Sequence, residues 1–280
     1  MKTHTTAIAA ALVLVTMTAC KQQGAAPAAN EAGPVTTAGE ILAGTWKADL
    51  ASLKFEGKPD EFRIQDGSYN CSTCIPPLTV AADGAFHPVA DRPYFDSMSV
   101  KVVDPRTVEV VRRKADKMVS SATLSVSEDG NVLTTKFVDA TTPNSPPVEG
   151  SSTAKRAGPA PAGAHAISGQ WTPDRIAEYS EDALNIRYAF DGDTVTSTSQ
   201  GQTWVAKIGG PAVPIDGDTG GTTVAVAREG ASGLRETYTR AGKQVGIVTV
   251  VPSADGKSFT FTNTDPRDGS KSSWTGTKTG

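Results

Sequence analysis

The chain has 280 residues and a formal net charge of −3, with 38% hydrophobic and only 6% aromatic residues. Its 27 glycines and 18 prolines make turns frequent, and that argues against a multi-span membrane protein. A nucleic-acid binder would carry a net basic patch, which this charge balance excludes as an expectation.

Residues 1–19, MKTHTTAIAAALVLVTMTA, have a positive start at Lys2 and an apolar run from Ala7 to Val15. That run is of signal-peptide length and too short to span a bilayer. It leads into Met17-Thr18-Ala19-Cys20. Small residues immediately before a cysteine resemble the lipobox of bacterial lipoproteins. The resemblance implies that Cys20 becomes the first mature residue and carries the lipid. It also implies, from Lys21 after the cysteine, an outer-membrane anchor facing the periplasm of a Gram-negative cell. Residues 20–40 are then a small, polar tether that cannot offset its ordering entropy by burial.

An internal repeat follows. Leu42-Ala43-Gly44-Thr45-Trp46 recurs as Ile167-Ser168-Gly169-Gln170-Trp171, the two tryptophans lying 171 − 46 = 125 positions apart. Ser127-Glu128-Asp129-Gly130 recurs as Ser253-Ala254-Asp255-Gly256, and Leu133 and Thr135 fall on Phe259 and Phe261. Val100 and Val102 align with Val224 and Val226. The chain reads as two copies of one domain, 41–156 and 167–278, joined by a Pro-Ala-Gly linker at 157–166.

Within each copy apolar residues alternate with period 2, as at Leu184, Ile186, Tyr188 and Phe190, which is the pattern of half-buried strands. Seven Asp-Gly dipeptides, at 66, 83, 129, 191, 216, 255 and 268, are hairpin signals because Asp and Gly tolerate the positive φ of a type I′ turn. Eight to ten strands in about 115 residues must close or double over to protect their edges. The fold class expected is all-β: two tandem antiparallel up-and-down barrels.

Gly44-Thr45-Trp46 and Gly169-Gln170-Trp171, each opening a copy, resemble the Gly-X-Trp opening of lipocalins. In that superfamily the tryptophan closes one barrel end beneath a basic residue of the last strand. The resemblance therefore implies that Lys155 or Arg156 covers Trp46 and that Lys278 covers Trp171. Copy one also resembles uncharacterised secreted bacterial domains, through Lys54-Phe55, Asp83-Gly84, His87-Pro88-Val89 and Arg106 to Val110. The implied function is the binding of a small apolar ligand, without a defined activity.

Cys71 and Cys74 form a Cys-X-X-Cys, for which an exported protein makes a disulfide the default. A redox-active pair and a metal site stay open beside it, although no helix N-terminus or further ligand set is evident. Copy two has Ser197 and Gln200 near the corresponding places. No catalytic motif is present, and the carboxylates sit mostly in turns. The run Arg112-Arg113-Lys114 reads as a solvated hairpin, and Tyr94 and Phe95 as lining a barrel mouth or packing into the core. The expectation is a non-enzymatic, lipid-anchored envelope protein with no metal or cofactor. It would bind a small apolar or amphipathic molecule or a peptide. The alternatives are an envelope assembly module that binds a partner protein, and a thiol-disulfide protein acting through Cys71 and Cys74.

Overall fold

A computed structural model describes residues 41–280; the leader, Cys20 and the tether lie outside the described residues. The chain is all-β and forms two nearly closed ten-stranded antiparallel barrels in tandem. Strand β1 (Gly44–Glu56) comes first. It is followed by β2 (Asp60–Gln65), β3 (Ser68–Cys71), β4 (Leu78–Ala81), β5 (Asp83–Pro88) and β6 (Ser97–Asp104). Then come β7 (Thr107–Lys114), β8 (Lys117–Val126), β9 (Val132–Asp139), β10 (Val148–Arg156) and β11 (Gly169–Tyr179). After a 3-10 turn at Glu181–Leu184 the chain continues with β12 (Asn185–Asp191), β13 (Thr194–Ser199), β14 (Gln202–Lys207) and β15 (Val213–Pro214). It ends with β16 (Thr222–Glu229), β17 (Gly233–Arg240), β18 (Lys243–Pro252), β19 (Ser258–Thr264) and β20 (Lys271–Lys278).

The barrels do not coincide with the sequence copies. One sheet holds β2 to β11 without interruption, and the other holds β1 together with β12 to β20. Strand β1 pairs with β12 and β20, and β11 pairs with β10 and β2, so each copy's opening strand completes the other copy's barrel. The first barrel is thus residues 60–179, and the second is 44–56 with 185–278. This corrects the expected division at 157–166. That Pro-Ala-Gly segment lies inside the first barrel, between β10 and β11, with His165 N donating to Ile64 O at 2.9 Å.

Two short crossings, Gly57–Pro59 and Ser180–Leu184, join the barrels. The residue before a proline favours extended backbone, so Lys58 before Pro59 carries the chain onward into the other barrel. Lys47 on β1 and Glu181 in the second crossing form an exposed ion pair at 2.5 Å.

From β2 and β12 through β9 and β19 the equivalent strands sit at an offset of 126, whereas the opening tryptophans are 125 apart and Arg156 and Lys278 are 278 − 156 = 122 apart. Met98 faces Arg112 as Val224 faces Tyr238, and Val100 faces Val110 as Val226 faces Glu236. The expected match of Val100 and Val102 to Val224 and Val226 is therefore shifted by two. Val102 lies next to a register shift at the end of β6 and is 41% exposed. Among the Asp-Gly signals, Asp66-Gly67 makes a turn with positive φ at both residues, but Ala115-Asp116, Gln200-Gly201 and Ala241-Gly242 do the same without that signature.

Alternation places one face of each strand inside. Val108, Val110 and Arg112 on β7 are buried, as are Ser120, Ala122, Leu124 and Val126 on β8. Trp171 belongs to the first barrel's core and Trp46 to the second's.

Candidate barrel interiors and their closed ends

Each barrel is closed at one end by the same arrangement. Trp46 and Trp171 are fully buried, and each indole Nε1 donates at 2.8 Å to the carbonyl four residues earlier, Leu42 or Ile167. The Arg156 guanidinium lies 4.0 Å from the Trp171 ring and donates to the carbonyls of Gly130, Ala166 and Ser168. Lys278 Nζ lies 5.2 Å from the Trp46 ring and donates to Ile41 O at 3.2 Å. A cation over an indole face is stabilised by the ring quadrupole.

The expected partners are therefore exchanged: Lys278 covers Trp46, and Arg156 covers Trp171. The physical reason is the strand exchange, which puts Trp46 opposite Lys278 and Trp171 opposite Arg156 in register. Lys155 points elsewhere and pairs with Asp174 at 2.6 Å. The glycine of Gly-X-Trp is required by this contact. Gly44 and Gly169 have φ of +127° and +122°, and a Cβ on Gly169 would stand 2.7 Å from Arg156 Nη1.

Cys71 and Cys74 are joined as a disulfide in the turn after β3, with Cys71 fully buried. Ser197 corresponds to Cys71, because Phe62 faces Cys71 as Tyr188 faces Ser197. His87 Nε2 lies 2.9 Å from Asp83 Oδ1, both residues being on β5 on either side of its register shift, so His87 is a strand residue paired with Met98. Among the described residues no group of three or more His, Cys, Asp or Glu could hold a metal ion.

The interiors differ. In the second barrel Glu236 is 2% exposed and both carboxylate oxygens are satisfied. Tyr188 OH donates to Oε1 at 2.8 Å and Tyr238 OH to Oε2 at 2.6 Å. Burial pushes the Glu236 carboxyl up, while the two phenol bonds pull it back. Tyr188 packs edge-on to Trp204, with ring centroids 6.5 Å apart. The cluster is a self-contained polar network, its groups paired within the protein.

In the first barrel the corresponding end carries Arg112, 8% exposed. Its Nη1 reaches Ser120 Oγ at 3.3 Å, its guanidinium lies 5.3 Å from the Phe95 ring, and its Nε meets no acceptor. Burial lowers its pKa. Tyr69, also buried, is pushed up to about 12 by desolvation, against the pull of Arg112 and Arg92. Arg92 donates to the carbonyls of Pro76 and Pro77, and its Nε too meets no acceptor. Reading Arg112-Arg113-Lys114 as a solvated hairpin is thus corrected for Arg112. The alternation of Val108, Val110 and Arg112 on β7 was the signal that placed it inside.

Tyr94 and Phe95, on the loop between β5 and β6, part company. Phe95 packs on the first barrel's core, whereas Tyr94 bridges the barrels. Tyr94 OH donates to Asp218 Oδ1 at 2.7 Å and accepts from Arg240, which also donates to Thr222 Oγ1 at 2.7 Å. Trp204 and Trp274 pack in or against the second core, as their strand positions imply.

No protein-family model, curated protein or solved structure matches the chain.

Proposed function

We propose that this chain is a non-enzymatic envelope protein, held at the outer membrane by a lipid on Cys20, whose first barrel binds a small amphipathic molecule. One observation carries the reading. The first barrel's core is largely apolar, and within it Tyr69, Arg112 and Ser120 stand together as a polar group, with Asp60, Ser99 and Thr135 also buried. Binding sites for small molecules combine an apolar lining with a few placed polar groups. Barrels of this size either hold one small ligand or are filled by their own side chains. The second barrel, with Glu236 satisfied by two tyrosines, supports the filled alternative for itself and a scaffolding role beside the first.

A second reading, an assembly module for another envelope protein, is favoured by the exchanged strands, which tie the two barrels into one unit with two crossings. The thiol-disulfide reading has less support, because Cys71 is fully buried and only the half-buried Cys74 is left for a thiol to approach.

Native mass spectrometry of the protein purified from its own envelope tests the proposal. A bound molecule of a few hundred daltons supports ligand binding. A stoichiometric co-purifying protein with an otherwise bare chain supports the assembly reading and overturns the first.

A further inference from the structure

The two barrels use one pair of interior positions in opposite ways. On the second barrel's β17, Tyr238 donates to a carboxylate two residues away on the same strand, Glu236. The equivalent positions on β7 are Arg112 and Val110, since Arg112 faces Met98 as Tyr238 faces Val224. The first barrel has thus a stronger, cationic donor where the second has a phenol. It has an apolar side chain, shorter by a carboxylate, where the second has the acceptor.

A buried charge is normally paired, because desolvation costs it far more than burial returns. Among the described residues no carboxylate lies within ion-pair distance of the Arg112 guanidinium, and its Nε has no acceptor. The charged groups that act on this end are Arg92, Tyr69, Asp60 and Asp139. Asp139 is engaged by the backbone N and Oγ1 of Thr141, at 2.9 and 2.6 Å. Arg92 adds a second cation and a second unpartnered Nε beside Tyr69. Met98, Val110 and Ala122 make the adjoining wall apolar.

We propose that the first barrel binds a carboxylate carried on an apolar body, held by Arg112 where the second barrel holds its own Glu236 carboxylate. The planar guanidinium fork matches a carboxylate in two parallel hydrogen bonds, and the apolar wall takes the rest of the ligand. The inference rests on the barrel-ligand reading and adds the chemical class of the ligand.

Titration calorimetry on the full chain, with sodium octanoate, octanol and sodium acetate as probes, tests it. Octanoate is expected to bind at least about tenfold more tightly than octanol, the increment of one charge-assisted pair, and acetate to bind more weakly than either. In Arg112→Tyr, which installs the second barrel's residue, the preference for octanoate over octanol should disappear. In Val110→Glu the protein supplies its own carboxylate, and octanoate binding should be lost while octanol, which needs no cation, loses less. If octanoate and octanol bind equally to the wild-type chain, the carboxylate assignment is overturned while barrel binding stands. If neither binds, both fall. Should Arg112→Tyr fail to fold, the wild-type probe ratio and Val110→Glu decide the matter.

Discussion

In both barrels a basic side chain, Arg156 on β10 or Lys278 on β20, covers a buried tryptophan, and a glycine two residues before the indole makes room for it. Away from that end the barrels diverge. The second is closed around a carboxylate whose oxygens both receive phenol hydrogens, whereas the first has a buried guanidinium with an idle Nε. The closed end is what the fold needs twice. The interior is where a duplicated scaffold is free to acquire different chemistry, because a barrel wall tolerates a change of interior residues if each polar group still finds a partner.

The largest expected effect breaks the shared part. Trp46→Ala should cost about 3–5 kcal/mol, as for other buried aromatic truncations. The strand exchange makes its address specific. Hydrogen exchange should speed up in residues 185–278 and leave 60–156 protected, whereas a barrel confined to copy one would loosen at 60–156.

A smaller effect sharpens the difference between the interiors. Burial raises the Glu236 pKa in the folded chain. The native state therefore holds that proton more tightly than the unfolded chain does. The stability this contributes is full below the ordinary Glu value of about 4.3 and is lost as pH rises through the raised value. Urea melts at a series of pH values should show wild-type stability falling relative to Glu236→Gln over that window. A difference that does not change with pH contradicts the assignment. The first barrel, with Val110 in that place, supplies no such slope.

The smallest effect concerns the disulfide present in the first barrel alone. Replacing Cys71 and Cys74 by the Ser and Gln of the second barrel should cost at most about 2 kcal/mol, because so short a loop constrains the unfolded chain little. Chemical denaturation measures it, and a loss as large as that of Trp46→Ala would contradict a merely local role.

Much of this was legible beforehand. The duplication, the strands and the closing residues Trp46, Trp171, Arg156 and Lys278 follow from repeat spacing and from the Gly-X-Trp resemblance. Which tryptophan meets which cation does not, because β1 and β11 carry the same opening pattern and either barrel can accept either strand. Loop length does not mark the choice either, since Gly57–Pro59 and Ser180–Leu184 cross between barrels while the shorter Asp66-Gly67 turns β2 back onto β3. Arg112 was obscured by its company: flanked by Arg113 and Lys114 it reads as surface charge, although the phase set by Val108 and Val110 turns it inward. Nothing in sequence spacing marks Val110 as the place of a missing acceptor. That emerges only when the two β-ladders are laid on one another in register.

The anion of the first barrel's ligand is placed at Arg112. The direct measurement is the Arg112 Nε–H resonance in a nitrogen-15 correlation spectrum during titration with sodium octanoate, with the Trp204 indole N–H as the second barrel's reporter. The Arg112 signal is expected to move in step with occupancy while Trp204 stays in place. Saturable octanoate binding that leaves Arg112 unmoved, or that moves Trp204 instead, would contradict that placement.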